Sequence, residues 1–311
     1  MINQIKKLLA QRKPDTVVGL VALTLFYFLS LSPSSGQPKG DSNLYDRVMK
    51  SGKIRSAYGV YAPGCIKDLN TGKLSGIGVE ALELVAKKLG LSIDWTEEVS
   101  WGSMIEGLQT GRYDIIVTPI WTQASRARLA GFSRPLYFSP LFAYVKFGDK
   151  RLNANNLASI NSPRFTIATL DGATAQSITN EDFPRARQVS LPQQTDVSQL
   201  LLTVSTGKAD LTFTEPADAI RFLKYNPASL QQVPTPRPVR VFPNCWMFAR
   251  GQYEFKMMLD TVLDEIINSG AMEKIIRKYE PVPNSLYRVA LPYQPPSLKG
   301  TSQAADVLKK R

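Results

Sequence analysis

The sequence predicts an α/β protein made of two similar lobes, with an apolar helix preceding the lobes. Strands and amphipathic helices alternate from Ile54 onward, and one helix–turn–strand unit occurs twice. The chain has 311 residues, enough for two domains, and its hydrophobic content of 43% allows a packed core in each. These three observations together predict the fold class.

The first lobe begins with the order strand, helix, strand, helix, strand. Ile54–Tyr58 predicts a short strand, and Val79–Leu89 predicts an amphipathic helix that ends at Gly90. The next three elements are a strand at Ser92–Trp95, a helix at Ser103–Thr110 and a buried strand at Asp114–Thr118. This alternation is typical of an α/β domain.

The second lobe repeats this alternation, and the chain then returns to the first lobe. The second-lobe elements are strands at Phe165–Thr169 and Leu211–Thr214 and helices at Val197–Val204 and Ala217–Tyr225. The returning elements are a strand at Trp246–Ala249 and helices at Glu254–Asn268 and Ala271–Tyr279.

The repeated unit is the strongest sign of internal similarity. Residues 108–119 read Leu-Gln-Thr-Gly-Arg-Tyr-Asp-Ile-Ile-Val-Thr-Pro, and residues 204–215 read Val-Ser-Thr-Gly-Lys-Ala-Asp-Leu-Thr-Phe-Thr-Glu. A chance recurrence of a common helix–turn–strand link is the alternative explanation. Ligands of open α/β sheets bind beyond the carboxyl ends of strands. Residues 119–121 and Glu215 are therefore predicted to lie at equivalent ligand-binding edges, one in each lobe.

Composition excludes several classes of function. The chain contains no histidine, which rules out a Ser-His-Asp triad and a histidine-ligated zinc site. Its only cysteines, Cys65 and Cys245, are too few for an iron–sulfur or thiolate zinc site, so we expect no metal and no cofactor. The net charge of +12 is concentrated at the two ends, and no clustered basic face with aromatic residues indicates nucleic-acid binding.

The two ends differ from the lobes. Basic residues up to Lys13 precede the apolar run Val17–Leu31, which predicts a signal peptide; the run is also close to the shortest length that spans a bilayer. An uncleaved anchor over residues 17–33 is therefore the alternative, and both predict an extracytoplasmic location. Residues 1–40 are assigned to this segment and a linker, and the proline-rich residues 281–311 to a disordered tail.

A resemblance to a known family rests on residues 122–137, Thr-Gln-Ala-Ser-Arg-Ala-Arg-Leu-Ala-Gly-Phe-Ser-Arg-Pro-Leu-Tyr. Arg126, followed six residues later by Phe-Ser-x-Pro-x-Tyr, resembles a segment of the family 3 extracellular solute-binding proteins. In that family the arginine holds the ligand's carboxylate, for which its planar fork is suited, so the resemblance implies this role for Arg126. A solvated surface arginine is the alternative.

The resemblance extends from about Lys53 to Tyr279 and implies where the chain crosses between lobes. The matching crossover strands are Phe142–Val145 and Val241–Asn244, so the resemblance implies that a two-strand hinge joins the lobes. The first lobe is then expected to comprise residues 41–145 and 244–280, and the second lobe residues 146–243.

The resemblance also implies further ligand-binding residues. Glu215 stands where the family usually has an aspartate that binds the ligand's ammonium; a helix N-terminal acid is the alternative. Gly172 and Thr174 belong to a turn whose amides open a helix and can meet a carboxylate. The matched aromatic positions are Tyr61, Trp101 and Trp121.

Two departures from the family's pattern narrow the expected ligand. Tyr58 stands where members that bind basic amino acids tend to have an acid, which disfavours lysine and arginine as ligands. Pro119 lacks the backbone N–H available at other residues.

The resemblance therefore implies a non-enzymatic receptor that captures an amino acid or related carboxylate and presents it to the membrane subunits of an ABC transporter. One alternative is an enzyme of the same fold that eliminates water and carbon dioxide from prephenate-like acids, with Glu215 as general acid. The other is an anchored sensor or interaction module whose ligand binding has decayed, as the substitutions Pro119 and Trp121 suggest.

The two cysteines allow one further expectation. Both are assigned to the first lobe, and an exported protein meets an oxidising environment, so we expect a Cys65–Cys245 disulfide. Two separate buried thiols are the alternative.

Overall fold

The structure is a computed structural model that describes residues 43–153 and 155–290. The strands are β1 Lys53–Tyr58, β2 Ile66–Lys67, β3 Leu74–Ser75, β4 Ser92–Glu98, β5 Ile115–Trp121, β6 Ala130–Phe132, β7 Tyr137–Lys146, β8 Thr166–Leu170, β9 Arg187–Leu191, β10 Leu211–Thr214, β11 Leu230–Gln232 and β12 Arg240–Ala249. The helices are α1 Leu44–Ser51, α2 Ile77–Leu89, α3 Met104–Gln109, α4 Ala124–Ala127, α5 Thr174–Asp182, α6 Val197–Ser205, α7 Pro216–Tyr225, α8 Tyr253–Asn268 and α9 Ala271–Tyr279. The predicted mixed α/β fold is confirmed.

The strand order is symmetric about the middle of the molecule. Hydrogen-bonded neighbours follow the path β4-β1-β5-β12-β7-β10-β8-β9. In the first half, β1 pairs in parallel with β4 and β5, and β5 pairs antiparallel with β12. In the second half, β8 pairs in parallel with β9 and β10, and β10 pairs antiparallel with β7. We call these the first half and the second half of the sheet.

Two long strands, β7 and β12, belong to both halves. They pair with each other where Leu141 faces Arg240 and Tyr137 faces Asn244. Phe142–Val145, the predicted first crossover, instead pairs with β10 inside the second half. The sequence did not mark this change of partner because residues 137–146 form one continuous, largely apolar strand.

Each half has its own apolar core. In the first half, Ile77, Leu82 and Val85 on α2 pack with α8 residues such as Leu259 and Leu263 against the sheet. The close approach of α2 to β5 requires a glycine: a Cβ on Gly78 would lie 2.3 Å from the Val117 carbonyl oxygen and 2.6 Å from Pro119 Cδ.

The repeated unit has the same hydrogen bonding in both halves. Asp114 accepts from the Arg55 amide at 2.7 Å and donates its own amide to the Arg55 carbonyl at 2.8 Å. Asp210 does the same with Thr166, at 2.7 and 2.8 Å. A side-chain oxygen that accepts from an amide near the start of the neighbouring strand holds each parallel strand pair in register.

Residues 281–290 differ from the predicted disordered tail. Leu286 is buried, and Tyr287 exchanges two backbone hydrogen bonds of 2.8 Å with Phe138 on β7. Arg288 pairs with Glu273 at 2.8 Å and with Glu280 at 2.7 Å. The prolines suggested disorder, but these side chains supply enough apolar and ionic contacts to order the segment; residues 291–311 lie outside the described residues.

The expected disulfide is wrong, since Cys65 and Cys245 are both free and buried. Cys65 lies in the turn after β1, where it forms an isolated bridge with Tyr61, whereas Cys245 lies on β12 opposite Ile120. Their common assignment to the first lobe did not fix their separation in space. Burial raises the pKa of Cys65 to about 11 and that of Cys245 to about 12.

Among residues 43–290 apart from Ala154, no helix has the length and apolar character that a bilayer span requires. The apolar segment predicted at residues 17–33 lies outside the described residues.

Candidate functional site

The carboxyl ends of β1, β5 and β10 carry the predicted site residues. Tyr61 lies in a turn just after β1, closed by two hydrogen bonds of 2.8 and 2.9 Å between the backbones of Tyr61 and Cys65. Trp121 ends β5, and Glu215 directly follows β10. The sequence places these residues here because each follows a buried apolar strand that ends at the same edge of its half-sheet.

Glu215 is the most buried acid at this edge, with a relative exposure of 3%. It precedes α7 as the N-cap residue, yet its side chain makes no capping hydrogen bond. The carboxylate instead accepts from the Tyr61 hydroxyl of the first half, with an oxygen–oxygen distance of 3.4 Å. The helix-cap explanation therefore does not account for its orientation.

A second buried acid, Asp218, lies one helical turn further along α7. It accepts from the Tyr61 hydroxyl at 3.2 Å and from the Thr214 hydroxyl at 3.1 Å, and its other oxygen pairs with Arg221 at 2.6 Å. Asp218 was not among the site residues predicted from the sequence. Its spacing of three residues from Glu215 at the start of a helix was the available signal, because residues i and i+3 share a helix face.

The pKa values of both acids are raised. Burial raises the pKa of Glu215 to about 8, with a further increase from Asp218, while hydrogen bonds from Ser139 and Tyr61 act in the opposite direction. Burial also raises the pKa of Asp218, and the neighbouring Arg221 limits that effect. At neutral pH the Glu215 carboxyl is therefore largely neutral when no cation lies beside it.

Arg126 lies in the short helix α4 and is half-buried. Its guanidinium donates to the Trp121 carbonyl oxygen at 3.4 Å, and within the described part of the chain it has no acidic partner. Desolvation lowers its pKa. A partly buried guanidinium with most of its donors unused is available to bind a carboxylate.

The three predicted aromatic residues have different surroundings. The Trp101 ring meets the Tyr61 ring edge to face, with centroids 5.7 Å apart, and is 46% exposed. The Trp121 ring stacks on Phe242 of β12 at 5.0 Å. Tyr61 and Trp101 thus form one wall beside Glu215, whereas the Trp121 ring packs against a crossover strand.

The turn that carries Gly172 and Thr174 contributes a contact between the two halves. The Gly172 amide donates to the side chain of Gln176 on α5 at 2.8 Å, so it is already satisfied by the helix that follows it. The buried Thr174 hydroxyl accepts from Gln123 at 3.3 Å, which links the two halves of the molecule. Gln123 directly precedes α4 and was not predicted from the sequence. Its only sequence signal is that it lies close to Arg126 in the chain.

Comparisons with known proteins show the family to which the chain belongs. The sequence model of the bacterial extracellular solute-binding proteins, family 3, matches residues 56–281. The L-cystine-binding protein TcyA of Bacillus subtilis is 24% identical over 249 residues, which cover 77% of this chain and 85% of that protein. The cyclohexadienyl dehydratase of Pseudomonas aeruginosa is 25% identical over 247 residues, 79% of this chain and 89% of its own.

Solved structures show the same fold. The ancestral amino acid-binding protein AncCDT-1, a precursor of cyclohexadienyl dehydratase, matches with a TM-score of 0.62 at 22% identity and covers 76% of this chain and 99% of its own. A binding component of an ABC transporter from Wolinella succinogenes, complexed with lysine, also has a TM-score of 0.62 at 22% identity, with coverage of 75% and 97%.

Proposed function

Because the chain belongs to the bacterial extracellular solute-binding proteins of family 3, we propose that it is a receptor that binds an amino acid or a related small carboxylate between its two lobes. Family members are extracytoplasmic, and a probable amino-acid ABC transporter-binding protein of Haemophilus influenzae is 25% identical over 231 residues. We therefore propose that the receptor delivers its ligand to ABC transporter membrane subunits, with residues 17–33 as a signal or anchor.

One observation supports this proposal most directly. Glu215, in the second half, is buried without a cationic partner, and Arg126, in the first half, is half-buried without an acidic partner among the described residues. An α-amino acid carries an ammonium and a carboxylate at neutral pH, which complement these two groups. An ammonium beside Glu215 favours its ionised form, and a carboxylate supplies the acceptor that Arg126 lacks, so a ligand that pairs with both gains affinity and favours closure.

The remaining predicted residues have supporting roles in this proposal. Tyr61 and Trp101 are proposed to contact the apolar part of the ligand, and Thr174 to contact its carboxylate. Trp121 is proposed to act through its carbonyl oxygen, which holds Arg126, because its ring is stacked on Phe242. Gly172 is proposed to shape the turn, as its φ of 69° favours glycine.

The proposal is tested first by mass spectrometry of small molecules that co-purify with the protein. Calorimetry against panels of amino acids and organic acids follows, on the wild type, Arg126→Ala and the matched control Arg128→Ala. We expect binding of at least one amino acid by the wild type and the control, and its loss in Arg126→Ala. A folded protein that binds nothing in either panel would contradict the proposal.

Recognition of the ligand's amino group has its own test. An amino acid and its deaminated analogue should differ strongly in affinity for the wild type, because the analogue leaves Glu215 without a cation. Glu215→Gln should narrow that difference, since a neutral amide cannot form the charge pair that favours the amino acid over its analogue. An unchanged affinity ratio would show that the ammonium is bound elsewhere.

A second candidate function is a dehydratase acting on prephenate-like acids. The observation that favours it is the Glu215 carboxyl, whose pKa of about 8 keeps it protonated at neutral pH, as a general acid must be. Incubation with prephenate or arogenate and spectroscopic detection of an aromatic product tests it. Product formation that Glu215→Gln abolishes, with substrate binding retained, would establish the enzyme.

A further inference from the structure

We propose that the Tyr61 hydroxyl is a latch that joins the two halves in the closed conformation and occupies the position that the cationic group of the ligand must take, if the proposed receptor function holds. The latch connects the turn after β1 in the first half to the start of α7 in the second half. Its hydroxyl lies 3.4 Å from a Glu215 oxygen and 3.2 Å from an Asp218 oxygen. A single donor thus faces two acids from the opposite half of the molecule.

The first-half side of the latch is held in place before closure. The Tyr61 backbone is fixed by two hydrogen bonds with Cys65, at 2.8 and 2.9 Å. Its ring meets Trp101 edge to face at 5.7 Å. The hydroxyl therefore has little freedom to lose when it reaches its acceptors, which strengthens the contact.

The second-half side is fixed in the same way. One Asp218 oxygen accepts from Thr214 at 3.1 Å, and the other pairs with Arg221 at 2.6 Å. The carboxylate is thus oriented by its own half, with one oxygen facing Tyr61. Glu215 and Asp218 are both buried, so opening the cleft removes the Tyr61 hydrogen bonds in exchange for water.

The latch also affects which ligands can bind. A ligand ammonium that pairs with Glu215 must displace the hydroxyl, and it replaces the lost donor with a stronger, charged one. A ligand without a cationic group offers no replacement, so it must break the latch without compensation. Tyr61 therefore favours cationic head groups through competition, in addition to any contact with the ligand's apolar part.

The test uses the full chain, dialysed free of small molecules, so its outcome does not depend on ligand identity. Spin labels at Lys87→Cys on α2 and Lys208→Cys after α6 report the distance between the halves, and small-angle scattering reports overall compaction. Tyr61→Phe removes only the hydroxyl. Tyr113→Phe is the matched control, because its hydroxyl bonds within one half, to the Met104 carbonyl at 2.8 Å.

We expect the wild type and Tyr113→Phe to share one equilibrium between closed and open distances. Tyr61→Phe should lower the closed-to-open ratio about tenfold, as expected for one lost hydrogen bond to a charged group. The double substitution Glu215→Ala with Asp218→Ala, which removes both acceptors, should produce a similar opening through the other side of the contact. A wild type with no closed population, or a Tyr61→Phe distribution equal to the wild type's, would overturn the latch whether or not the receptor function holds.

Discussion

The two halves of the sheet share a scaffold but carry different chemistry at their mouths. In both, an aspartate after a Thr-Gly turn holds a parallel strand pair in register, and the strand order is mirrored. Beyond those strands, the first half presents Arg126 and aromatic rings, whereas the second half presents Glu215 and Asp218. The identical residues of the repeat support the strands, whereas the charged residues beyond the strand ends differ between the halves.

The largest expected effect tests whether the two register aspartates are equivalent. Asp114 has 1% side-chain exposure and pairs with both Arg47 and Arg55, whereas Asp210 is 23% exposed and pairs with Arg151. Removing one partner from a buried ionic cluster costs about 3–5 kcal/mol, so Asp114→Ala should destabilise by that amount. Asp210→Ala should cost about 1–2 kcal/mol, because solvent screens its ion pair but its hydrogen bond to the Thr166 amide is lost.

Chemical denaturation followed by circular dichroism and tryptophan fluorescence measures both variants. Asp114→Asn serves as a control that keeps the side-chain shape and one acceptor oxygen. Equal losses in the two alanine variants would show that the aspartates contribute through the shared backbone hydrogen bond alone.

The next prediction concerns the cationic side of the cleft. Arg126→Ala should weaken amino-acid binding by about 2–5 kcal/mol, the usual cost of truncating one member of a buried charge pair. Arg126→Lys should recover only part of this loss, because a point charge replaces the planar fork. Calorimetry checks both variants, and an affinity for Arg126→Ala equal to that of Arg128→Ala would remove Arg126 from the site.

Much of the fold could be predicted because its elements have simple sequence patterns. The structure has β10 at Leu211–Thr214 and α9 at Ala271–Tyr279, the predicted ranges, and it extends the predicted helix at Val79–Leu89 by two residues at its start. Periodic apolar residues bounded by glycine or polar caps make such segments readable. The repeated Thr-Gly-x-x-Asp unit also predicted the similarity of the halves.

The site was less accessible from the sequence because it depends on contacts between distant segments. Asp218 and Gln123 gain their significance from Tyr61 and Thr174, which lie far away in the chain. The change of pairing partner within β7 could not be predicted for a related reason, since the apolar pattern of this strand is continuous. Apolar patterns in the sequence indicate which residues are buried. The side-chain contacts of the site and the pairing of β7 depend instead on which distant segments meet in the fold.

The acidic side of the cleft leads to a prediction about pH. The Glu215 carboxyl has a pKa of about 8 in the folded protein against an ordinary value of 4.5, so between these values the folded state retains a proton that the unfolded state has lost. Stability contributed by this group therefore falls as pH rises through that window and is fully lost above about pH 8. Asp218, Arg221, Tyr61 and Tyr137 are the titratable or charged groups coupled to it.

Glu215→Gln should therefore gain thermal stability relative to the wild type as pH rises. We expect the difference in Tm to widen by at least about 4 °C from pH 5 to pH 8, since 1 kcal/mol corresponds to about 2–4 °C in a chain of this size. Glu106→Gln on the exposed face of α3 is the matched control and should show a constant difference. A Glu215→Gln difference that stays constant with pH would show that the wild-type carboxyl is ionised in the folded protein.

The smallest expected effect concerns the cysteines, both of which belong to the first half. A disulfide would make that half more constrained than the second, and its removal would cost about 2–5 kcal/mol. The structure has two buried free thiols instead, with pKa values of about 11 and about 12, so neither forms a thiolate at neutral pH. We expect both to be inert to a thiol reagent in the native protein and both to react after denaturation. Reductant should leave the Tm unchanged. A Tm that falls on reduction would show that a disulfide constrains the first half and not the second.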